Sequence, residues 1–224
     1  AMRGGKLPTN LTFSLSALKI HGYEVVALRY FKFNEDGTLH YLTDEEVAKV
    51  PAPAKAKAEY RNAVFSNVEL HFKKPGGRVQ IYRHVQQNLN NDNLKKQGAP
   101  IYKYLKSRGT PIATMTKAAS YLLSWESFSM MRDFITSQSV WMVSDATGVA
   151  PMYGKKLGFE YETYGGFVAP HIPAGNGISK DWKTEFEAQP KREIPFRFGY
   201  YDKNNTNHLI IMRKPAAPTP TPTK

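Results

Sequence analysis

The densest group of residues that could carry out chemistry lies between positions 117 and 151. Lys117, Arg132 and Asp145 are its main charged members, and together they could bind an anionic group or perform acid–base chemistry. Asp145 directly follows an apolar run at 139–144, which predicts a buried strand. Ligand sites of open α/β sheets form where strands end, so Asp145 is predicted to lie in such a site.

Neighbouring residues extend this group into a candidate ligand site. Helical spacing predicts that Lys117, Ser120 and Tyr121 lie along one side of a helix. The predicted ligand-binding residues are Lys117, Ser120, Tyr121, Arg132, Asp145, Thr147 and Gly148, and the catalytic candidates among them are Asp145, Lys117 and Arg132. The alternative is structural: Asp145 caps a turn, Gly148 supplies a positive φ, and Arg132 pairs with Asp145.

Several familiar chemistries are excluded by residue type or spacing. The chain contains no cysteine, which rules out disulfides, thiolate zinc sites and cysteine nucleophiles. It also lacks a Gly-x-Ser-x-Gly elbow, a phosphate loop and a dinucleotide fingerprint. The run Asp145-Ala-Thr-Gly148 differs from the Asp-Thr-Gly loop of aspartic proteases by an inserted alanine, and no second copy supplies the partner carboxylate.

The histidines give no metal-binding pattern. All six are scattered along the chain, and none forms a His-x-x-x-His pair. His71 and His84 are predicted to face each other across a hairpin, where a satisfied surface pair is more common than a metal site. We therefore predict neither a metal nor a cofactor.

The chain is strongly basic, with a formal net charge of +12 over 224 residues. Between positions 71 and 108 the only acidic residue is Asp92. The predicted anion-binding surface consists of Lys73, Arg78, Arg83, Lys95, Lys103 and Arg108. Interleaved tyrosines would let this segment stack on single-stranded nucleic acid, although no RNP, KH or helix-turn-helix signature is present. A solvated basic face is the alternative.

The elements that must position these residues are a mixture of helices and strands. The clearest pattern is a β-hairpin, with strands at 63–73 and 78–86 around Lys74-Pro-Gly-Gly77. Other predicted strands are 23–33, 112–115, 139–144, 159–164 and an antiparallel pair at 195–201 and 208–212. Predicted helices are 10–20, 100–107, 117–136 (as one helix or as two broken near 124–127) and 179–188, with a further helix start at Thr43. This order predicts an α/β (α+β mixed) fold, with antiparallel hairpins at both ends of a mixed sheet and helices packed on its faces.

The predicted organisation is a single α/β domain at 10–214. Ala1-Met2 looks like a cloning remnant within a flexible N-terminus at 1–9, and the Pro/Thr-rich stretch 215–224 is predicted to be a disordered tail. No apolar run reaches the roughly 18 residues of a membrane span. The absence of cysteine fits an oxidising compartment as well as a cytosolic one, and we favour export slightly.

Three short runs carry a resemblance. Residues 117–122 read Lys-Ala-Ala-Ser-Tyr-Leu, residues 128–132 read Phe-Ser-Met-Met-Arg, and residues 145–149 read Asp-Ala-Thr-Gly-Val. They resemble the Lys-(Ala/Ser)-Ala-Ser-Tyr-Leu, Phe-Ser-x-x-Arg and Asp-x-(Ser/Thr)-Gly-(Ile/Val) motifs of a family of uncharacterised bacterial proteins, often from envelope-rich lineages. The likeness extends over roughly 10–214, but only these motifs are specific.

The chain departs from that family in two respects. It lacks the family's additional N-terminal region, and it has Ala146-Thr147 where the family often has Asp-Ser. A second acid that mattered for chemistry or metal binding would therefore be missing. The resemblance implies a bacterial, exported protein and no reaction.

Three functions remain open at this point. The favoured one is a non-enzymatic binding or interaction module of the bacterial envelope, with an anionic ligand or another envelope protein as partner. The second is a hydrolase or transferase that uses Asp145 with Lys117 or Arg132 on an anionic substrate. The third is a nucleic-acid binder through residues 71–108. Strong charge segregation without a recognised catalytic set favours the first, and the oligomeric state is left open.

Overall fold

The structure, a computed structural model, describes residues 9–50, 64–96, 99–109, 112–167, 177–196, 198–199 and 207–215. Contacts between Cα atoms divide the chain into two compact units. Unit 1 comprises Ala1–Asn88 and Gln97–Lys106, and unit 2 comprises Leu89–Lys96 and Ser107–Lys224. Each unit has its own four-stranded sheet.

The elements alternate between helix and strand in much of the chain. The helices are α1 Thr9–Ile20, α2 Asp44–Ala48, α3 Asn91–Lys96, α4 Pro100–Ser107, α5 Ser129–Gln138, α6 Pro151–Lys155 and α7 Ile178–Ala188, with 3-10 helices at Ala119–Ser124 and Glu126–Phe128. The strands are β1 Glu24–Phe33, β2 Leu39–Tyr41, β3 Val68–Lys73, β4 Gln80–His84, β5 Ile112–Thr116, β6 Ser139–Ser144, β7 Glu160–Gly165 and β8 His208–Arg213. No helix among the described residues combines the length and apolar character needed to cross a membrane.

The sheet of unit 1 is antiparallel throughout, with strand order β2-β1-β3-β4. Leu11 of α1 is buried against one face, where it joins a cluster that includes Val68 and Leu70 of β3. α4 packs on the other face, and the ring of Tyr104 lies 5.4 Å from that of Phe33. The two faces of this sheet are therefore covered by different helices.

The sheet of unit 2 is mixed, with strand order β5-β6-β8-β7. β5 and β6 are parallel, whereas β8 is antiparallel to both of its neighbours. Met142, Ile210 and Met212 point into a core that includes Trp182 of α7, and all four side chains are fully buried. Alternate residues of the same strands, such as Val143 and Ile211, therefore face the opposite side.

The predicted α/β class is confirmed, and its strands are divided between two sheets. The central hairpin is also confirmed, since β3 and β4 pair in an antiparallel ladder around the predicted turn. At the other end, β8 forms as predicted, but it pairs with β6 and β7. The described residues of the predicted partner strand 195–201, namely 195, 196, 198 and 199, are not in a strand.

Two predictions about local geometry are wrong. The helical stretch predicted over 117–136 begins later, because Lys117 precedes the first 3-10 helix. The predicted break near 124–127 is present, since two 3-10 helices meet at Trp125 and the α-helix begins only at Ser129. His71 and His84 do not face each other, since the hairpin register pairs His71 with Ile81 and His84 with Val68.

The predicted domain boundaries stay a prediction. The single domain at 10–214 is neither established nor excluded by the two units. Residues 1–8 and 216–224, which hold most of the predicted flexible N-terminus and tail, lie outside the described residues.

Candidate ligand pocket of unit 2

Lys117 and Asp145 are brought together by the parallel pairing of β5 and β6. The register pairs Thr116 with Ser144, the last residues of the two strands, so the next residue of each chain segment emerges at the same edge of the sheet. The Lys117 ammonium donates a hydrogen bond to Oδ2 of Asp145. The structure therefore brings Lys117 and Asp145 within hydrogen-bond distance of each other.

The carboxylate of Asp145 is held on both oxygens. Oδ1 accepts hydrogen bonds from the backbone N–H of Thr147, at 2.9 Å, and from the Thr147 hydroxyl, while Oδ2 accepts from Lys117. Asp145 is only 7% exposed. Burial raises the pKa of Asp145, but the hydrogen bonds from Lys117 and Thr147 outweigh it and hold the pKa below its usual value. Asp145 is thus an ionised anchor with its acceptors occupied.

The loop after β6 is fixed by hydrogen bonds to its surroundings. The Ala118 N–H donates to the Thr147 hydroxyl at 3.2 Å, and the Val149 N–H donates to the Thr116 hydroxyl at the same distance. The Ala146 N–H donates to Nε2 of His208 on β8, at 3.0 Å. These bonds tie the loop to β5 and β8, so Asp145 is held rigidly at the sheet edge.

Gly148 serves this loop through its lack of a side chain. A Cβ atom there would collide with the Ser144 hydroxyl and with the backbone oxygen and hydroxyl of Thr116. The predicted positive φ is wrong, because Gly148 is not among the residues with left-handed backbone conformation. Glycine is needed at position 148 because the loop packs closely against the ends of β5 and β6.

A cavity of about 300 Å³ opens beside the Lys117–Asp145 pair. Its lining is mostly aliphatic and aromatic: Met115, Thr116, Lys117, Trp141, Val143, Ser144, Asp145, Tyr164, Pro195, Phe196, Phe198, Leu209 and Ile211. The floor is the face of the sheet opposite the core, and Pro195, Phe196 and Phe198 form the wall across from it. Pockets of this size and lining are typical of small-ligand sites.

Arg132 does not join this site. Its guanidinium donates to the backbone oxygens of Leu123 and Trp125, at 3.1 and 3.3 Å, and to the carboxylate of Glu126 at 3.2 Å. Its Cζ atom also lies 4.0 Å from the ring centre of Tyr153. The predicted pairing with Asp145 is therefore wrong, and Arg132 instead holds the two 3-10 helices against α5.

The other predicted ligand residues have mixed positions. Thr147 bonds Asp145, as described above, and does not line the cavity. Tyr121 packs against the core cluster of unit 2 and has a φ of 57°, which is rare for a non-glycine residue. The side chain of Ser120 lies outside the described part of the structure.

The predicted anion-binding residues are divided between the units. Lys73, Arg78, Arg83 and Lys103 belong to unit 1, whereas Lys95 and Arg108 belong to unit 2. The Lys103 ammonium donates to the backbone oxygen of Glu35 at 2.8 Å. A single surface formed by all six residues stays a prediction.

Sequence reasoning missed Glu69, which is the most densely bonded buried carboxylate of unit 1. It is 1% exposed and accepts hydrogen bonds from Tyr41 at 2.7 Å, His71 at 2.6 Å and Arg83 at 2.5 Å. Burial raises the pKa of Glu69, but these three hydrogen bonds hold it below its usual value. Arg83 also donates to the Tyr104 hydroxyl at 3.3 Å, so this network joins β2, β3, β4 and α4.

Sequence reasoning also missed most of the residues that line the cavity, although one sequence pattern indicates them. β6 and β8 contain successive apolar residues, Val140-Trp-Met-Val143 and Leu209-Ile-Ile-Met212, instead of alternating apolar and polar ones. Such runs indicate strands that are apolar on both faces. One face is the core and the other is the cavity floor.

Comparisons with known proteins add no relative to this picture. No family model, no curated protein and no solved structure matches the chain. Within the described residues, no three His, Asp or Glu side chains cluster closely enough to hold a metal ion. Any functional conclusion must therefore come from the pocket itself.

Proposed function

We propose that this chain is a binding module whose unit 2 pocket takes a small ligand with an apolar body and an acidic group. The observation that carries the proposal is the apolar cavity of about 300 Å³ with the ammonium of Lys117 at its margin. A pocket of this kind recognises the body of a ligand by burial and its orientation by a few polar contacts.

The apolar body would lie on the sheet face between β5 and β7. Val143, Leu209 and Ile211 supply the floor, while Phe196 and Phe198 supply the opposite wall. Met115 and Phe196 are 75% and 59% exposed, so a ligand would cover apolar surface that water now contacts. Removing such surface from water is favourable by about 25 cal/mol per Å².

The acidic group would meet Lys117. The Lys117 side chain is 68% exposed and donates a hydrogen bond to Asp145, whereas an ammonium can donate three. Asp145 orients the ammonium toward the cavity margin. Beside the lining residue Tyr164 the charges are mixed, with Arg192 5.8 Å from its ring centre and Glu162 accepting a hydrogen bond from its hydroxyl at 2.9 Å, so Lys117 is the cation of the lining that an acidic group would meet.

The enzyme alternative has weaker support. Its third member, Arg132, is bonded elsewhere, and both oxygens of Asp145 accept hydrogen bonds. A general base works best with a pKa near the working pH, and the hydrogen bonds from Lys117 and Thr147 hold the pKa of Asp145 below its usual value. A bacterial source and an exported location stay predictions, supported by the motif resemblance and by the absence of cysteine.

The test is a titration of the full chain with decanoate, followed by tryptophan fluorescence. Trp141 lines the cavity and is 38% exposed, whereas Trp182 is fully buried in the core on the other side of the sheet. We expect a saturable change in emission with decanoate, about tenfold weaker for decanol, because the alcohol lacks one charge-assisted hydrogen bond.

Two variants and a matched control make this test specific. Ile211→Phe fills the cavity and should abolish the fluorescence change, whereas Lys117→Met should weaken decanoate binding about tenfold and leave decanol unchanged. Lys156→Met removes the same charge from an exposed position of unit 2 outside the lining and should change neither. Equal binding of decanoate by wild type and Ile211→Phe would place the ligand elsewhere and refute the proposal.

A further inference from the structure

The strand β4 forms an unusual edge of the sheet of unit 1. It is the last strand of the order β2-β1-β3-β4, and among the described residues it pairs only with β3. In an antiparallel edge strand, alternate residues direct their backbone N–H and C=O groups away from the partner strand. These groups are a template for another extended chain.

Apolar side chains lie along this edge on both faces of the sheet. Ile81 and Val79 are each 52% exposed and Tyr82 is 38% exposed. Ile81 shares a face with His71, its partner in the register, and Tyr82 shares the other face with Leu70. Natural edge strands usually carry charges or bulges that block pairing, whereas β4 pairs without a bulge and its one Arg, Arg83, is bonded to Glu69.

The exposed charged residues of the hairpin turn beside this edge are basic. Residues 70–91 contain no aspartate or glutamate, and the hairpin turn carries exposed Lys74 and Arg78, with Lys73 half-buried beside them. Glu69 is the only acid of the hairpin, and it is buried and bonded to Arg83. An approaching strand would therefore meet exposed cations without nearby exposed acids of the hairpin.

We infer that β4 accepts an extended acidic peptide as a fifth strand of the unit 1 sheet. Backbone groups of the peptide pair with the free edge of β4, its apolar residues meet Ile81 and Tyr82, and its carboxylates meet Lys74 and Arg78. Peptide recognition by strand addition combines backbone pairing with alternate side-chain contacts in this manner.

Two other occupants fit less well. A second copy of the chain, paired antiparallel about Ile81, would place Arg78 opposite His84 and so bring basic residues together. A nucleic acid would contact the basic residues, but it could neither pair with the backbone groups of β4 nor pack its backbone on Ile81. The acidic peptide is the occupant that matches the charge, the backbone groups and the apolar side chains together.

The experiment is a fluorescence-anisotropy titration with labelled Val-Glu-Val-Glu-Val-Glu-Val-Glu and with Val-Lys-Val-Lys-Val-Lys-Val-Lys as its charge-reversed control. We expect the full chain to bind the acidic peptide at least about tenfold more tightly than the control. On binding, the amide hydrogen exchange of β4 should slow, because its outward N–H groups gain partners.

Variants separate strand addition from charge alone. Ile81→Lys removes the apolar contact, and because its added cation alone would tighten acidic-peptide binding, the expected tenfold weakening would report the loss of strand addition. Arg78→Glu reverses a turn charge and should weaken binding of the acidic peptide about tenfold. Lys49→Glu makes the same charge reversal at an exposed position after α2 and should have no such effect. Circular dichroism melts confirm that each variant folds.

Four results would overturn the inference. The first is no binding of the acidic peptide, and the second is full binding by Ile81→Lys. The third is a twelve-base oligothymidine that binds more tightly than the peptide and displaces it, which would favour the nucleic-acid interpretation. Concentration-dependent self-association that is lost in Ile81→Lys would identify a second copy as the occupant and equally refute the peptide.

Discussion

Glu69 of unit 1 and Asp145 of unit 2 are both buried carboxylates paired with a cation, yet their surroundings differ. The cation of Glu69 is Arg83, whose side chain is 24% exposed, and two further donors complete the network. The cation of Asp145 is Lys117, whose side chain is 68% exposed beside an apolar cavity. An ion pair closed within the packed structure stabilises the fold, whereas an ion pair with one exposed member can present a charge to a ligand.

The largest effect should come from Glu69→Gln. The loss of the carboxylate charge leaves Arg83 partly buried without its counter-ion, which should cost about 3 kcal/mol of unfolding free energy. Amide hydrogen exchange of β3 measures this loss locally. Glu24→Gln, at an exposed position of β1, is the matched control and should stay within about 0.5 kcal/mol of wild type. Equal exchange rates in both variants would show that the Glu69 network does not stabilise the sheet.

Gly148→Ala should cost about 2 kcal/mol and should also weaken decanoate binding. The added Cβ must displace the Ser144 hydroxyl or the backbone of Thr116, and this shift moves the loop that holds Asp145. Gly158→Ala strains a positive φ of 75° but meets no atom within 4 Å, so it should cost about 1 kcal/mol and leave binding intact. Thermal melts and the decanoate titration together separate the two outcomes.

Acid should destabilise both units, and the dependence has a defined sign. Because the folded pKa of Glu69 and of Asp145 is lowered, their stabilising effect is complete above their unfolded values of about 4 and is lost as the pH falls through the folded values. The melting temperature should therefore stay level from pH 7 to about pH 5 and fall as the pH is lowered below about 4. Glu69→Gln should show a smaller fall than wild type, and an equal fall would contradict the assigned pKa shift.

Lys117→Met should have the smallest effect on stability and so sharpens the contrast most. Lys117 is exposed, but its partner Asp145 is buried and would keep only its two hydrogen bonds from Thr147, so the loss should be about 1 kcal/mol, well below that of Glu69→Gln. The predicted tenfold loss of decanoate affinity would then occur with only a small loss of stability. A large drop in melting temperature would instead show that Lys117 acts on the fold, as Arg83 does.

Local sequence patterns predicted the elements whose formation depends mainly on neighbouring residues. The hairpin of β3 and β4 follows from period-two alternation around a Pro-Gly turn, and its register then needs no distant contact. The position of Asp145 at a strand end follows from the apolar run before it, whereas Lys117, predicted in a helix, follows a strand that ends at the same edge.

The failures came from contacts that spacing does not encode. Glu69 and His71 alternate with the apolar residues of β3, a pattern typical of a solvent-facing side, but α4 covers that face and places Tyr104 beside Arg83. Arg132 was matched to a distant aspartate, whereas its carboxylate partner is Glu126, only six residues earlier. The cavity requires Phe196 and Phe198 to lie across from the sheet, and no periodicity places an irregular segment there.

The exposure of Met115 has a redox consequence. Peroxide converts an accessible methionine to its sulfoxide, which is polar, and Met115 is 75% exposed at the cavity while Met142 and Met212 are fully buried in the core. Among these three, Met115 should therefore gain an oxygen atom first. Oxidation would add a polar group to the apolar lining while the core of unit 2 stays intact, so oxidant exposure would reduce the pocket's apolar character before it unfolded the protein.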